Sequence, residues 1–354
     1  MNENDTSTST GPEDDLRELF AEATSDVRPA GTFEEILERT RTEDSTARRW
    51  FLPAVAAAVV IGLAVGGVGW SLRDRNGGSG SSGPSHTSVQ APTSASSEVY
   101  YLGDTASGPR LFAESTVVHN GADDAGHATE NGARIGFAMD AAQLAVAGHA
   151  VDPDYRSAWP SGTTIQGLGG CVDPGCEIQV TFAGTGMVER PAGMSEEVAR
   201  LSLEQLVRSV QAALGARNPV FFAAFTQADD KTEVLDHVLG VDTRGPQQPQ
   251  PDDAVMAPVQ ITTPVDGADV PAGDLTVTGR AAAFEGTVQW ELLVGGDTVV
   301  KQGHATAAEC CTLSPYSFTI HGLQPGGYTL VVHDTDESGT GRPTNQDTKE
   351  IIVK

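Results

Sequence analysis

Residues 50–72 read WFLPAVAAAVVIGLAVGGVGWSL, a run of 23 residues without a charge. At about 1.5 Å per helical residue this run spans roughly 34 Å, enough to cross a hydrocarbon core. It reads as one transmembrane helix that divides the chain into a short head, residues 1–49, and a long tail. Arg39, Arg41, Arg48 and Arg49 precede the run, and only Arg73 and Arg75 follow it closely. That bias places the head in the cytoplasm and the tail outside the membrane. Pro53 falls in the first turn, where its missing N–H costs little, and Trp50 and Trp70 mark the two interfaces.

Arg48-Arg49 followed by Phe51-Leu52 also looks like a twin-arginine export signal. Cleavage would need a small-x-small motif after the apolar run, and the chain reads Gly69-Trp70-Ser71-Leu72-Arg73 there. An uncleaved signal anchor is expected, by either the general or the twin-arginine route. Ala54, Ala58, Gly62 and Gly66 recur every fourth residue, and the Gly62/Gly66 pair would permit close pairing of two helices in a homodimer.

The net charge of −26 excludes a basic face for nucleic acid, whose binding requires phosphate neutralisation. The four cysteines form two local pairs beyond the anchor, Cys171/Cys176 and Cys310/Cys311. In an oxidising compartment they are disulfide candidates. The spacing suits a Cys171–Cys176 bridge, while Cys310 and Cys311 form either a vicinal ring or two thiols.

Within the head, Leu16, Leu19 and Phe20, then Phe33, Ile36 and Leu37, mark two short amphipathic helices. These cannot bury a core alone, so their apolar stripes await the membrane surface or a cytoplasmic regulatory partner such as a sigma factor. Residues 73–97 form a Gly/Ser/Pro linker, of which the spacer 76–97 has a root-mean-square reach of about 25 Å. From 98 to 243 an α+β pattern follows. Strands are expected at 99–102 and 110–118 around a turn at 103–108, a helix at 136–147, a hairpin of 163–168 with 177–182, a helix at 195–214 and a strand at 221–225. Ser195 caps the second helix and Gly215 stops it. Residues 244–257 form a Pro/Gln-rich linker, expected to be stiff. Residues 258–354 carry about seven short alternating strands and no helix, the pattern of an immunoglobulin-like β-sandwich. Trp290 is a candidate core plug, and Leu323 to Tyr328 suggest a tyrosine corner. The fold class is thus multi-domain, with one transmembrane helix, an α+β domain and an all-β sandwich.

Several motifs carry a family resemblance. Val99-Tyr100-Tyr101-Leu102-Gly103-Asp104, Asp152-Pro153-Asp154-Tyr155 through Trp159-Pro160, Gly162-Thr163-Thr164-Ile165, Leu203 to Val207 and Asp236 to Val241 resemble the GerMN domain of bacterial spore germination proteins. Ala283 to Trp290, Cys311-Thr312 through Pro315-Tyr316-Ser317-Phe318, and Pro325 to Leu330 resemble the immunoglobulin-like domain of bacterial spore germination. The two resemblances occur in the tandem order of actinobacterial envelope proteins. They imply a non-enzymatic envelope module with no catalytic residues to carry over.

Few residues suggest chemistry. His119, Asp123, Asp124 and His127 are weak metal candidates in a Gly/Ala-rich loop. Asp334 and Asp336 open a segment that copies half of a calcium loop, but Asn345 occupies the position where such a loop needs a bidentate Glu. Tyr155 and Trp159 are weak ligand-contact candidates, with core packing as the other reading. No His lies in a Ser or Cys nucleophile motif, so no catalytic residue and no cofactor are expected. The chain reads as a membrane-anchored extracytoplasmic binding or sensory protein of the cell envelope, N-terminus cytoplasmic, with an envelope ligand or protein as partner. The alternative is a structural envelope protein of the sporulation type without a signalling role.

Overall fold

The computed structural model describes residues 92–121, 129–170, 173, 175–226, 231–335 and 345–354, all within one compact unit. The head, the apolar run and its Gly62/Gly66 strip lie outside the described residues. No helix among the described residues is long and apolar enough to cross a membrane.

The first domain has three layers. Strands β1 (Ser94–Thr105) and β2 (Gly108–His119) pair as a long antiparallel hairpin. It begins inside the expected linker, because polar residues such as Ser96 and Ser97 pair with Val117 and Thr116 across the ladder. Gly103 belongs to the strand and not to the turn. The Phe112 ring lies against it, and a Cβ at Gly103 would come within 2.6 Å of that ring. Helix α1 (Glu130–Ala147) starts six residues before its expected start at 136. Thr129 caps it by accepting from Gly132 N, which offsets the poor helix formers Asn131 and Gly132. Helix α2 (Glu196–Leu214) has Ser195 as its cap and Gly215 as its stop, as the sequence predicts.

The third layer is a sheet of β3 (Ile165–Gly170), β4 (Ile178–Ala183), β5 (Val220–Thr226) and β6 (Lys231–Val234), in that order. β4 and β5 are parallel, and α2 connects them. Ala133, Phe137, Ala141 and Ala145 of α1 pack on the hairpin, while Ala138, Ala142 and Val146 pack on the sheet side. A helix pressed between two layers needs small residues on both faces, which accounts for its Ala content. A minor hairpin of β7 (His237–Val238) and β8 (Val241–Asp242) follows.

The Pro/Gln-rich segment is docked on the first domain. Pro246, Pro249 and Pro251 lack an N–H, but Gln247 exchanges backbone bonds of 3.0 and 2.8 Å with Val220. Gln250 N donates to Glu204 at 3.0 Å. A short helix, α3 (Asp252–Val255), leads into the second domain.

The second domain is an immunoglobulin-like sandwich. Its strands are β9 (Val259–Thr263), β10 (Ala268–Val270), β11 (Gly273–Ala281), β12 (Thr287–Val294), β13 (Thr298–Thr306), β14 (Ser314–Leu323), β15 (Gly326–Asp334) and β16 (Gln346–Val353). One sheet runs β10-β16-β15-β12-β13 and the other β14-β11-β9. Strand β10 is too short to register as alternation in the sequence. Val277, Val288, Leu292, Ile320, Leu330 and Ile351 fill the space between the sheets. Trp290 packs against that core at its margin, on the same face of β12 as Val288 and Leu292. It is half-buried and stacks on Phe318 with ring centres 5.0 Å apart. The tyrosine corner is present, with Tyr328 Oη donating to Gln324 O at 3.0 Å.

Candidate functional site

An open cleft of about 460 Å³ lies between α2 and the docked 247–255 segment. Its apolar lining includes Leu201, Leu203, Val207, Val241 and Val255. Arg110, Glu196, Glu197 and Arg200 edge one side, and Gln247, Gln248 and Gln250 the other. The rim charges are paired, Arg200 with Glu196 at 2.6 Å and Arg110 with Glu197 at 3.6 Å. Arg200 holds the Glu196 carboxyl below its usual range. Burial pushes the Glu204 carboxyl up, opposed by Gln250 N and Arg208. Arg208 also bonds Asp252 at 2.7 Å and Gln250 O at 2.5 Å. Apolar walls, an amide rim and internally neutralised charges suit an extended, largely uncharged ligand that hydrogen-bonds through amide groups.

A second constellation joins the two domains. Ala257 N donates to Leu111 O at 2.8 Å, which lays the chain against β2. The Gln260 side chain accepts from Ala113 N at 3.1 Å and donates to Ala257 O at 2.8 Å. Arg280 of the sandwich pairs with Glu98 of β1 at 2.6 Å. Beneath these contacts Lys349 Nζ donates to Asp152, to Tyr155 Oη at 2.7 Å and to Asp347 at 3.2 Å. Side-chain exposure is 4% for Lys349, 2% for Asp152 and 4% for Asp347. Ile261 N donates to Asp347 at 2.6 Å. Burial pushes the Asp347 carboxyl up, against the pull of Lys349. The Tyr155 hydroxyl is raised well above its usual value, by burial first and then by the charge of Asp347. Glu114, also buried, accepts from Val151 N and Asp152 N at 3.0 Å each.

The sequence-derived candidates fare unevenly. Tyr155 is buried at the seam and stacks on Phe112 at 4.8 Å, so it offers no face to a ligand. Trp159 packs on Phe182 inside the first domain and is likewise no ligand contact. Cys176 is disulfide-bonded, while Cys171 lies outside the described residues. Cys310 and Cys311 form a vicinal disulfide. Cys311 N donates to Ala283 O at 3.4 Å, next to the exposed Phe284. His119 is exposed at the end of β2, and Asp123, Asp124 and His127 lie outside the described residues. Asp334 accepts from the Asn345 side chain at 2.7 Å and from its N–H at 3.1 Å, and Asp336 lies outside the described residues. No group of three or more potential metal ligands is found among the described residues.

The seam residues Asp152, Asp347 and Lys349 escaped the sequence reading. For two of them the signal was alternation: counting back in twos from Val353 through Ile351 puts Lys349 and Asp347 on the inward face of β16.

Residues 258–340 match the family model described as the immunoglobulin-like domain of bacterial spore germination. No curated protein matches the chain. Similar solved structures include CopC from Methylosinus trichosporium OB3b, at 15% identity over 27% of this chain and 92% of that one, TM-score 0.21. Fibronectin(III)-like modules of Clostridium thermocellum CbhA share 24% identity over 27% of this chain and 45% of theirs, TM-score 0.20. A CARDB domain from Pyrococcus furiosus, solved with di-metal ions, shares 16% identity over 27% of this chain and 89% of its own, TM-score 0.19. The family match ends before β16, so Asp347 and Lys349 lie beyond it.

Proposed function

We propose that this chain is a membrane-anchored, extracytoplasmic binding or sensory protein of the bacterial cell envelope, and that its outer domains capture an envelope component without turning it over. The first domain is read as GerMN-like on the motifs given above. The cleft beside α2 carries the reading: it is open, apolar on its walls and rimmed by amides, and its charged groups pair with one another instead of forming a nucleophile and base. Residues 50–72 supply the anchor, and the head relays to a cytoplasmic partner.

A photo-crosslinking amino acid at Gln248, on the cleft rim, is expected to trap an envelope component in intact cells. Ala254→Trp, which fills the cleft from an exposed position, is expected to abolish that capture. Unchanged capture in the tryptophan variant would reject the cleft. Topology is tested separately by cysteine labelling in a cysteine-free background. A probe site at Ser85 should react with an impermeant reagent and one at Ser9 should not; the opposite pattern would invert the anchor.

The buried seam favours a second reading, a structural strut whose head carries no signal. Deleting residues 1–47 separates the two, since it silences a relay and leaves a strut unaffected.

A further inference from the structure

Lys349 is one of four lysines in the chain, and its amine is enclosed by two carboxyl groups and a phenol. Asp152 comes from the loop after α1, while Lys349 and Asp347 come from the last strand of the sandwich. The Tyr155 ring lies 4.3 Å from the amine and stacks in turn on Phe112. Burying one ammonium with two carboxylates is expensive and leaves one negative charge uncompensated. Holding an amine against a carboxyl group in a water-poor site also removes most of the entropic barrier to their reaction.

We propose that Lys349 Nζ and Asp152 Cγ condense into an isopeptide cross-link between the two domains, with Asp347 carrying the protons. Asp347 accepts a proton from the Lys349 ammonium and passes it to Asp152, whose carboxyl becomes the electrophile. The nitrogen lone pair forms the C–N bond at Asp152 Cγ. Asp347 then moves a second proton from nitrogen to the departing oxygen, the C–O bond breaks with its electron pair on oxygen, and water leaves. One ammonium and one carboxylate become one amide and one water, without oxidant or cofactor. Asp347 ends as it began. Burial, which already raises its carboxyl, suits it to hold a proton between the steps. The bond would close a loop of 197 residues and carry load from the last strand directly into the first domain.

The test is the intact mass of the purified chain with its disulfides reduced. The expected mass is the sequence mass less one water, with a branched peptide after digestion that joins the segments containing Asp152 and Lys349. Asp152→Asn is expected to lose one ammonia in place of water, because the leaving group changes and the nucleophile does not. Lys349→Met is expected to retain the full mass. Asp347→Asn is also expected to retain it, and loss of water in that variant would overturn the role given to Asp347. A folded wild-type chain at its full unreacted mass would overturn the cross-link itself.

Discussion

Tyr155 of the first domain donates its hydroxyl to both carboxylate oxygens of Asp347 in the second, at 3.0 Å each. Neither residue is near the other in sequence, and both are buried. The contact makes the interior of one domain depend on the other. Tyr155→Phe keeps the ring and its stack on Phe112 but leaves Asp347 and Lys349 short of a partner. Such a loss costs about 1–3 kcal/mol. Urea unfolding should show both domains weakened together, and a variant as stable as wild type would mean that the hydroxyl does not hold the seam.

The raised Asp347 carboxyl makes a pH prediction. Its folded value lies above the unfolded value of about 3.9, so the folded state binds the proton more tightly. Its burial therefore costs stability above the folded value, and that cost is relieved as pH falls towards the unfolded value. Lys349, Tyr155 and Asp152 face the carboxyl directly, and Glu114 lies close behind them. Relative to Asp347→Asn, wild type should lose stability as pH rises through this window. A pH-independent difference between the two in urea titrations would contradict the assignment.

Arg208 fastens the Pro/Gln segment. It reaches Glu204, Asp252 and Gln250 O, and it lies over the Tyr100 ring at 6.0 Å. Arg208→Ala leaves Glu204 buried with one less partner, which costs about 2–4 kcal/mol. Hydrogen exchange at residues 247–255 should quicken while the sandwich strands stay protected. Unchanged exchange there would show that the segment is held by other contacts.

Gly279 in β11 allows a close approach. A Cβ there would stand 2.1 Å from Gln260 O and 2.3 Å from the Tyr316 hydroxyl. That hydroxyl donates to Gln260 O at 3.0 Å, and the Gln260 side chain crosses the seam. Gly279→Ala should destabilise the sandwich by about 1–3 kcal/mol and loosen its contact with β2, as read by near-ultraviolet circular dichroism and limited proteolysis between the domains. Wild-type resistance would show that β9 can shift without cost.

Local chemistry made much of this fold legible. Ser195 and Gly215 bound α2 because capping and stopping need only the residues at the ends. The sandwich strands follow from alternation, and the tyrosine corner from the turn before Tyr328. Relationships across long separations were not legible. Asp152 lies far from Asp347 and Lys349 in sequence, and only the seam brings the three together. The Pro/Gln segment reads as a spacer until Gln247 and Gln250 find Val220 and Glu204. For Tyr155 and Trp159 the sequence leaves ligand contact and core packing both open, and their stacking on Phe112 and Phe182 decides for the core.

The α+β domain and the sandwich act as one body, bearing the cleft and joined through the seam. Scanning calorimetry of residues 92–354 tests this most directly. One cooperative transition is expected, with calorimetric and van't Hoff enthalpies in agreement, and Tyr155→Phe should shift that whole transition downwards. Two separate transitions, only one of them moved by Tyr155→Phe, would contradict it.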